Sequence, residues 1–380
     1  MIEPRHFLEA LRASGVRFVC GVPDSLLKDV CACITSCLPG KDHVIATNEG
    51  SAAGLAIGHY LATGVPALVY MQNAGLGNIV NPVTSLTDPQ VYGIPMILMI
   101  GWRAEMAPDG HQLKDEPQHV KQGQVTLPQL ELLGIPYRVI DGQTNNIGAL
   151  LQDLREMAES QSSPVALVVR KNTFAPFELA TTPEVPMLSR EDALAKVVEC
   201  LPADIPVVAT TGMISRELFE FRTAHYHGHE RDFLTVGGMG HASQIAAGIA
   251  LSLPRQRVAC FDGDGALLMH TGALVISALC PNLIHIVLNN GAHDSVGGQP
   301  TRASELPLAG FARAAGYKNV ATVNDLPGIA RALGLMLETV EPAFLEIKCR
   351  RGARPDLGRP DIAPTESKRA FMQFLQRSGH

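Results

Sequence analysis

The sequence has no hydrophobic run long enough to cross a membrane. Its longest apolar windows, such as IPMILMIG at 94–101, have the length of a β-strand, whereas a membrane helix needs about 20 apolar residues. The N-terminal segment MIEPRHFLEALRASG also lacks the apolar core of a signal peptide. We therefore expect a cytoplasmic protein without a membrane partner.

An excess of basic residues and two nucleotide-binding motifs are also lacking. With 31 Lys and Arg against 37 Asp and Glu, the formal net charge is −6, so a nucleic-acid partner is not expected. The P-loop pattern GxxxxGK[ST] is absent, which argues against a P-loop enzyme. GVPDSL and GLGN do not form a GxGxxG turn after a first strand, which argues against an NAD-linked dehydrogenase.

The composition is that of a globular protein with a large core, since 46% of the 380 residues are hydrophobic. Eight cysteines are scattered along the chain. Cys31, Cys33 and Cys37 fall in a helix-like stretch, where Cys33 and Cys37 share a face and Cys31 does not. We interpret them as small buried residues rather than metal ligands.

Short apolar runs alternate with glycine-rich turns and helix-like segments along the chain. This alternation predicts parallel sheets covered by helices on both faces. In the first half, the predicted strands are 16–23, 43–50, 65–73, 94–101 and 164–171. In the second half, they are 205–212, 232–240, 257–265, 283–291 and 342–349.

Two α/β domains, each with a doubly wound parallel sheet, account best for this pattern. Residues 173–188 contain three prolines and no hydrophobic periodicity, as is typical of a linker. A helix is expected to begin at Ser189, with acidic residues in its first turn. We therefore predict domains at 1–172 and 189–380, the second ending in a basic loop and a short helix.

Unusual residues follow the predicted strands, where open α/β sheets bind ligands. They are Asp24, Glu49, Asn73, Gly212, Met239, Asp264 and Asn290. Asp264 and Asn290 offer hard oxygens 26 positions apart, and they converge if their strands are neighbours. Mg²⁺ prefers such oxygens and completes its shell with phosphate oxygens. The pattern therefore indicates an enzyme with a metal–phosphate site.

The GDG and NN motifs, each after an apolar strand, resemble the signature of thiamine diphosphate (ThDP) enzymes. The resemblance implies that Asp264, the Asn290 side chain and the Ala292 carbonyl bind Mg²⁺, which holds the cofactor's diphosphate. It implies a pyrimidine-binding domain at 1–172 and a diphosphate-binding domain at 189–380. Since these domains usually meet across subunits, it also implies a homodimer or homotetramer with interfacial active sites.

The family also requires a glutamate, and Glu49 has the position for it. Glu49 follows a predicted strand and begins a helix with Gly50, Gly54 and Gly58 on one face. The resemblance implies that Glu49 is catalytic and hydrogen-bonds N1′ of the cofactor's aminopyrimidine. On its own, Glu49 is better explained as an acidic residue favoured by the helix dipole, and the metal motif downstream favours the catalytic role instead.

Other cofactor contacts are implied by the same resemblance. Met239, in TVGGMGH, matches the bulky apolar residue that lies beneath the bent cofactor. Gly212 and Met213 are expected to contact the aminopyrimidine through their backbone. The remaining cofactor-binding candidates are Asn73, Gly238, Gly263, Gly265, Ala266 and Ser295.

Longer segments resemble one branch of the family, the phosphonopyruvate decarboxylases. They are GVPDSLLK (21–28), NEGSAAGLAIGHYLATG (48–64), YMQNAGLGNIVNPVTSL (70–86), KDEPQHVKQG (114–123), NNGAHDSVGGQPT (290–301) and DLGRP (356–360). The resemblance implies conversion of 3-phosphonopyruvate to phosphonoacetaldehyde in the biosynthesis of phosphonates, including antibiotics. Sulfopyruvate or another simple 2-oxo acid is the alternative substrate. Fusion of both domains in one chain favours the phosphonate enzyme, because the sulfopyruvate enzymes are often two chains.

Cations near the strand ends suit a substrate with a phosphonate and a carboxylate. They are Lys28, Arg103, His111, Lys114, His119 and Lys121. The resemblance implies that Asp24 and His119 transfer a proton. Ser25, at a helix start, either binds the phosphonate with neighbouring N–H groups or caps the helix.

Two further segments are expected near the substrate. His293–Ser295 follow the metal loop and are expected to line the pocket. The loop 103–123 is polar and contains glycine and proline, so we expect it to be mobile and to close over the substrate. Candidates to join this lid are Arg351, Arg354 and Arg359.

Overall fold

The computed structural model describes residues 1–179, 187–225 and 227–378. The chain divides into two compact units, Met1–Thr181 with Val296–Gln299, and Thr182–Ser295 with Pro300–His380. Each unit contains one six-stranded sheet. Part of the predicted linker, 180–186, lies outside the described residues. In the part of the predicted linker that is described, Phe174 forms an isolated parallel β-bridge with Ile2.

The first unit has a fully parallel sheet with the strand order β2-β1-β3-β4-β6-β5. Its strands are β1 (Val19–Gly21), β2 (His43–Ile45), β3 (Leu68–Gln72), β4 (Met96–Gly101), β5 (Tyr137–Ile140) and β6 (Pro164–Val169). Its helices are α1 (Pro4–Ala13), α2 (Lys28–Cys37), α3 (Glu49–Thr63), α4 (Leu76–Pro82), α5 (Pro117–Leu132) and α6 (Ile147–Gln161).

Alternate side chains of the central strands enter two cores. Leu68 and Tyr70 of β3 pack with residues of α1, α2 and α6. Val69 and Met71 pack on the other face with residues of α3, α4 and α5. Because successive strand residues point to opposite faces, a strand covered on both sides must be apolar throughout. This requirement explains the continuous apolar runs in the sequence.

The second unit is also fully parallel, in the order β11-β12-β10-β9-β7-β8. Its strands are β7 (Val207–Ala209), β8 (Asp232–Leu234), β9 (Val258–Gly263), β10 (Leu283–Asn289), β11 (Asn319–Val323) and β12 (Ala343–Lys348). Its helices are α7 (Arg190–Cys200), α8 (Met213–Ala224), α9 (Ala242–Ser252), α10 (Asp264–Met269), α11 (Ala273–Ser277), α12 (Leu308–Ala315), α13 (Leu326–Glu338) and α14 (Pro364–Ser378).

The predicted fold class, two α/β units with parallel sheets, is confirmed. Each of the ten predicted stretches contains a strand, and Ser189 caps α7 by accepting a hydrogen bond from the Asp192 amide. Burial of Cys31 and Cys33 in α2 is also confirmed. Among the described residues, no helix is long and apolar enough to cross a membrane.

Two strands and the start of one helix were not predicted. The strands β5 and β11 are partly exposed, and the polar residues Arg138 and Thr322 interrupt their apolar sequences. The predicted loop 103–123 is wrong from residue 117 onward, because α5 begins there. Pro117 occupies the first turn of this helix, where the missing N–H of proline costs no hydrogen bond.

Candidate active site

Asp24 lies beyond β1 and is completely buried, with 0% exposure. Gln72, the last residue of β3, donates from Nε2 to Asp24 Oδ1 at 2.8 Å. A Cβ on Gly101, at the end of β4, would lie 2.0 Å from Asp24 Oδ2, so glycine leaves the room for this carboxylate. Burial raises the pKa of Asp24, against the hydrogen bond from Gln72 and the charge of Arg103. Asp24 therefore keeps its proton to a higher pH than an exposed aspartate does.

Arg103, directly after β4, is oriented by Asp115. Its Nε donates to Asp115 Oδ2 at 2.8 Å and its Nη2 to Oδ1 at 2.5 Å, while both side chains are 16% exposed. The remaining nitrogen, Nη1, donates to Ser25 Oγ at 2.8 Å. Because a two-point contact fixes the plane of the guanidinium, Arg103 presents a defined donor edge beside Ser25.

His119 lies in the first turn of α5 and is buried. Burial, together with the charge of Arg103, lowers the pKa of His119 to about 4. His119 is therefore neutral at pH 7. The prediction that it is one of the positively charged residues near the strand ends is wrong, because burial, which the sequence does not show, lowers its pKa. Of the other predicted cations, four are exposed: Lys28, His111, Lys114 and Lys121.

Two buried amides of the first unit have atoms without a hydrogen-bond partner among the described residues. They are Asn73 Oδ1 and both polar atoms of Gln299, and both side chains are 0% exposed. Asn73 Nδ2 donates to the Arg103 carbonyl at 3.1 Å and to Thr126 Oγ1 at 2.9 Å. An unpaired buried polar group costs about 1–3 kcal/mol, so these atoms are suited to receive a ligand.

Glu49 is the first residue of α3 and is 6% exposed. Asn78 on α4 donates from Nδ2 to Glu49 Oε2 at 2.6 Å. A Cβ on Gly75 would lie 2.6 Å from both Cγ and Oε1 of Glu49. The carboxylate is therefore fixed by an amide on one oxygen and by a glycine backbone beside the other.

We predict that Gly75→Ala displaces the Glu49 carboxylate, because the added methyl group overlaps it. Activity should fall about 100-fold if the carboxylate moves by about 1 Å, and denaturation should show a loss of about 1–3 kcal/mol. Gly77→Ala is the matched control, since a Cβ there meets nothing within 4 Å. Equal activities of the two variants would contradict the proposed importance of the Glu49 position.

In the second unit, Asp264 and Asn290 follow the neighbouring strands β9 and β10. Asp264 is 2% exposed and Asn290 is 8% exposed. Thr301 donates from Oγ1 to Asp264 Oδ2, and the Ala292 amide donates to Asn290 Oδ1 at 3.2 Å. The expectation that the two strands are adjacent is confirmed, so both side chains lie at one edge of the sheet.

The Asp264 environment fits a magnesium ion. Burial raises the pKa of Asp264 to about 6, although the hydrogen bond from Thr301 lowers it. In the described part of the chain, no Lys, Arg or His forms an ion pair with this carboxylate. A buried carboxylate near an amide oxygen, without a protein cation, offers the hard oxygen ligands that Mg²⁺ prefers.

Predicted cofactor and pocket residues lie close to one another in two places of this unit. A Cβ on Gly265 would lie 2.9 Å from Cε1 of His293 and 3.4 Å from Cε of Met239. A Cβ on Gly212 would lie 3.3 Å from Oγ of Ser295. Burial lowers the pKa of His293 to about 4, so this ring is neutral at pH 7.

The remaining cofactor-binding candidates flank the same strand ends. Gly263 ends β9, Ala266 lies in α10, Met213 begins α8, and Gly238 precedes Met239 in a turn with φ of 66°. Arg354, a candidate lid residue, instead forms ion pairs with Glu191 and Glu220 of its own unit.

We predict that protonation of Asp264 stabilises the metal-free protein in acid. Its pKa rises from 3.8 to about 6 on folding, so the folded state binds more protons between these values. This contribution is full below about pH 4 and is lost as the pH rises to about 6. The stability of the wild type relative to Asp264→Asn should therefore fall across this window in urea denaturation without Mg²⁺. A pH-independent difference would contradict the raised pKa.

Two family models match the chain. "Thiamine pyrophosphate enzyme, N-terminal TPP binding domain" matches residues 4–125, and "Thiamine pyrophosphate enzyme, C-terminal TPP binding domain" matches residues 210–347. The chain belongs to the thiamine pyrophosphate enzyme family. Thiamine pyrophosphate, which is ThDP, is accordingly its cofactor.

Curated relatives of this thiamine pyrophosphate enzyme match it over nearly its whole length. A phosphonopyruvate decarboxylase of Streptomyces viridochromogenes is 34% identical, with 99% of this chain and 95% of that protein covered. One of Streptomyces hygroscopicus is 33% identical, with coverages of 98% and 94%. A sulfopyruvate decarboxylase of Methanosarcina acetivorans is 28% identical, with coverages of 97% and 96%.

Several side chains that hold the candidate residues were missed from the sequence. Gln72 immediately precedes Asn73, so the strand-end rule could have found it. Asp115 and Thr301 fall inside segments that resemble the family, yet neither segment shows which partner they bind. Their contacts with Arg103 and Asp264 cross 12 and 37 positions, respectively, and no local pattern predicts such pairs.

Proposed function

We propose that this enzyme decarboxylates 3-phosphonopyruvate to phosphonoacetaldehyde and CO₂ with ThDP and Mg²⁺, as a step of phosphonate biosynthesis. The Arg103–Ser25 pair carries the proposal: a fixed guanidinium edge lies 2.8 Å from a hydroxyl, near the start of α2. A dianionic phosphonate binds best to such charge-assisted donors. The full-length similarity to two Streptomyces phosphonopyruvate decarboxylases supports the same substrate.

The cofactor residues have separate tasks in this proposal. Asp264, Asn290 Oδ1 and the Ala292 carbonyl hold Mg²⁺, which binds the diphosphate. When bound, ThDP supplies the electron sink for loss of CO₂ from a 2-oxo acid. Glu49, fixed by Asn78, holds a proton at N1′ of the aminopyrimidine, and Met239 packs against the cofactor.

Asp24 and His119 differ in their proposed roles. Burial raises the pKa of Asp24, so its carboxyl keeps a proton to donate at a higher pH than an exposed aspartate does. The lowered pKa of His119, about 4, keeps its ring neutral, so it accepts or donates a hydrogen bond without adding charge. Arg103, Ser25 and Lys28 bind the phosphonate end of the substrate.

Sulfopyruvate is the second candidate substrate. Its decarboxylase in Methanosarcina acetivorans matches 97% of this chain in a single polypeptide. Fusion of the two domains therefore does not distinguish the substrates, and that expectation from the sequence is corrected. A sulfonate carries one negative charge and a phosphonate up to two. The positive charge of the binding site is therefore the property that distinguishes the two substrates.

We also propose that the enzyme assembles as a homodimer or homotetramer with active sites at subunit interfaces. The exposed face of α3 supports self-association, since Leu55 is 40% and Leu61 is 72% exposed. A Cβ on Gly54 or Gly58 would meet no described atom within 4 Å, so this face can approach another backbone closely. Light scattering after gel filtration measures the assembly directly.

The activity itself is tested with protein freed of cofactor by dialysis against a chelator. Phosphonopyruvate should yield CO₂ and phosphonoacetaldehyde in equal amounts after ThDP and Mg²⁺ are returned together. Omission of either should abolish the reaction. Conversion that proceeds without ThDP, or no conversion of any of phosphonopyruvate, sulfopyruvate and pyruvate, would refute the proposal.

A further inference from the structure

We infer that the buried Arg190–Glu217 pair positions the magnesium ligand Asn290, through Asp294. Asp294 Oδ2 accepts hydrogen bonds from Asn290 Nδ2 at 2.6 Å and from Arg190 Nη1 at 2.6 Å. The Gly352 amide donates to the same oxygen at 3.0 Å. The inference rests on the proposed magnesium site and adds residues to it that do not touch the metal.

The contact with Asp294 decides which atom of the Asn290 amide faces away from Asp294; the Ala292 amide donates to that oxygen at 3.2 Å, and the oxygen keeps a second lone pair. An ionised carboxylate accepts hydrogen bonds but donates none, so Asp294 binds the amide nitrogen of Asn290. The amide oxygen then points away from Asp294. Only this oxygen can bind Mg²⁺, because the NH₂ group of an amide has no lone pair to offer a cation. Asp294 therefore keeps Asn290 in the orientation that metal binding requires.

Arg190 holds Asp294 in place from inside the core. Arg190 is the first residue of α7 and is 4% exposed, and Glu217 on α8 is 1% exposed. Arg190 donates to Glu217 from Nε at 3.0 Å and from Nη2 at 2.8 Å. With two nitrogens fixed in this way, Nη1 has a single direction, which is toward Asp294.

General stability does not explain this arrangement well. Burying an arginine with two carboxylates costs desolvation energy that the attraction often only balances. A positioning role explains why the charges are retained at this place. Groups that orient metal ligands typically change metal affinity by about 10–100-fold when they are replaced.

The same unit contains a matched control pair far from the metal ligands in the sheet. Arg222 donates from Nε to Asp232 Oδ2 at 2.8 Å and from Nη2 to Oδ1 at 2.9 Å, with side chains 1% and 0% exposed. Asp232 begins β8, whereas the proposed metal ligands follow the carboxyl ends of β9 and β10. Replacing Arg222 therefore tests the effect of breaking a buried ion pair alone.

The test is Mn²⁺ binding to the full-length protein with ThDP, measured from the electron paramagnetic resonance signal of free Mn²⁺. The variants are Asp294→Leu, Arg190→Met, Arg190→Lys and Arg222→Met, and each is also unfolded in urea without metal. Asp294→Leu and Arg190→Met should weaken Mn²⁺ binding by about 10–100-fold. Arg190→Lys should recover part of the affinity. In each variant kcat at saturating metal should change less than the affinity does.

Arg222→Met should lower stability in urea and leave Mn²⁺ affinity near that of the wild type. Wild-type affinity in folded Asp294→Leu, which has a similar size but no acceptor for the Asn290 amide, would overturn the inference while the proposed metal site stands. An equal loss of affinity in Arg222→Met would also overturn it, since the effect would then follow from any broken pair. Wild-type protein that binds no Mn²⁺ with ThDP would overturn the metal site itself.

Discussion

Glu49→Gln should lower kcat by about 10²–10⁴-fold with little change in the affinity for ThDP or Mg²⁺. Glutamine keeps the size of the side chain and can still accept the 2.6 Å hydrogen bond from Asn78. It cannot hold and release a proton at N1′ of the aminopyrimidine. The loss should therefore appear in steady-state CO₂ release at saturating cofactor, while calorimetry shows near-normal cofactor binding.

Glu105 provides the control for this substitution in the same unit. It is 7% exposed, and its carboxylate accepts from Arg170 Nη1 at 3.2 Å and from the Lys171 amide at 2.9 Å. Glu105→Gln should lower stability in urea but leave kcat close to the wild-type value. Full activity of Glu49→Gln, or an equal loss in both variants, would rule out the role proposed for Glu49.

Arg103→Met should lower kcat/KM for phosphonopyruvate roughly 30- to 4,000-fold. This factor corresponds to the loss of about 2–5 kcal/mol of binding energy. The substitution removes the donor edge beside Ser25 that the phosphonate is proposed to contact. Pyruvate has no phosphonate, so its kcat/KM should change much less. The ratio of the two kcat/KM values is therefore the informative quantity, because a general folding defect would lower both.

Arg170→Met is the matched control for Arg103. Arg170 is also a partly buried arginine of the first unit, with Glu105 as its carboxylate partner and its guanidinium 5.3 Å from the centre of the Trp102 ring. This variant should keep the substrate preference of the wild type. If Arg103→Met lowers kcat/KM for phosphonopyruvate and for pyruvate equally, Arg103 serves only to hold Asp115, and the phosphonate site lies elsewhere.

The strands at the centre of both sheets could be predicted from the sequence because burial on two faces requires an unbroken apolar run. The strands β5 and β11 could not, since each is partly exposed and has a polar residue, Arg138 or Thr322, between apolar ones. The start of α5 was missed for a different reason. Proline is equally suited to a loop and to the first turn of a helix, so Pro117 alone does not reveal the helix start.

Asn73, Asp264 and Asn290 could be proposed from the sequence because each directly follows a strand, whereas candidates such as Met239 depended on the resemblance to the family. The charge states of the buried site residues could not be predicted from the sequence, because they depend on burial in the folded chain. His119 belongs to a residue type that can carry a positive charge. It is nevertheless neutral at pH 7, because its pKa is lowered to about 4. The Arg190–Asp294 contact spans 104 positions, so only the folded chain reveals that the loop proposed to bind the metal contacts the start of α7.

Competition between phosphonopyruvate and sulfopyruvate in one vessel tests the central claim most directly. The enzyme, with ThDP and Mg²⁺, receives both substrates at equal concentration, and phosphorus and proton magnetic resonance follow the two aldehyde products. Phosphonoacetaldehyde should form first, and its initial rate should exceed that of sulfoacetaldehyde. Faster formation of sulfoacetaldehyde would contradict it and would assign the enzyme to sulfopyruvate.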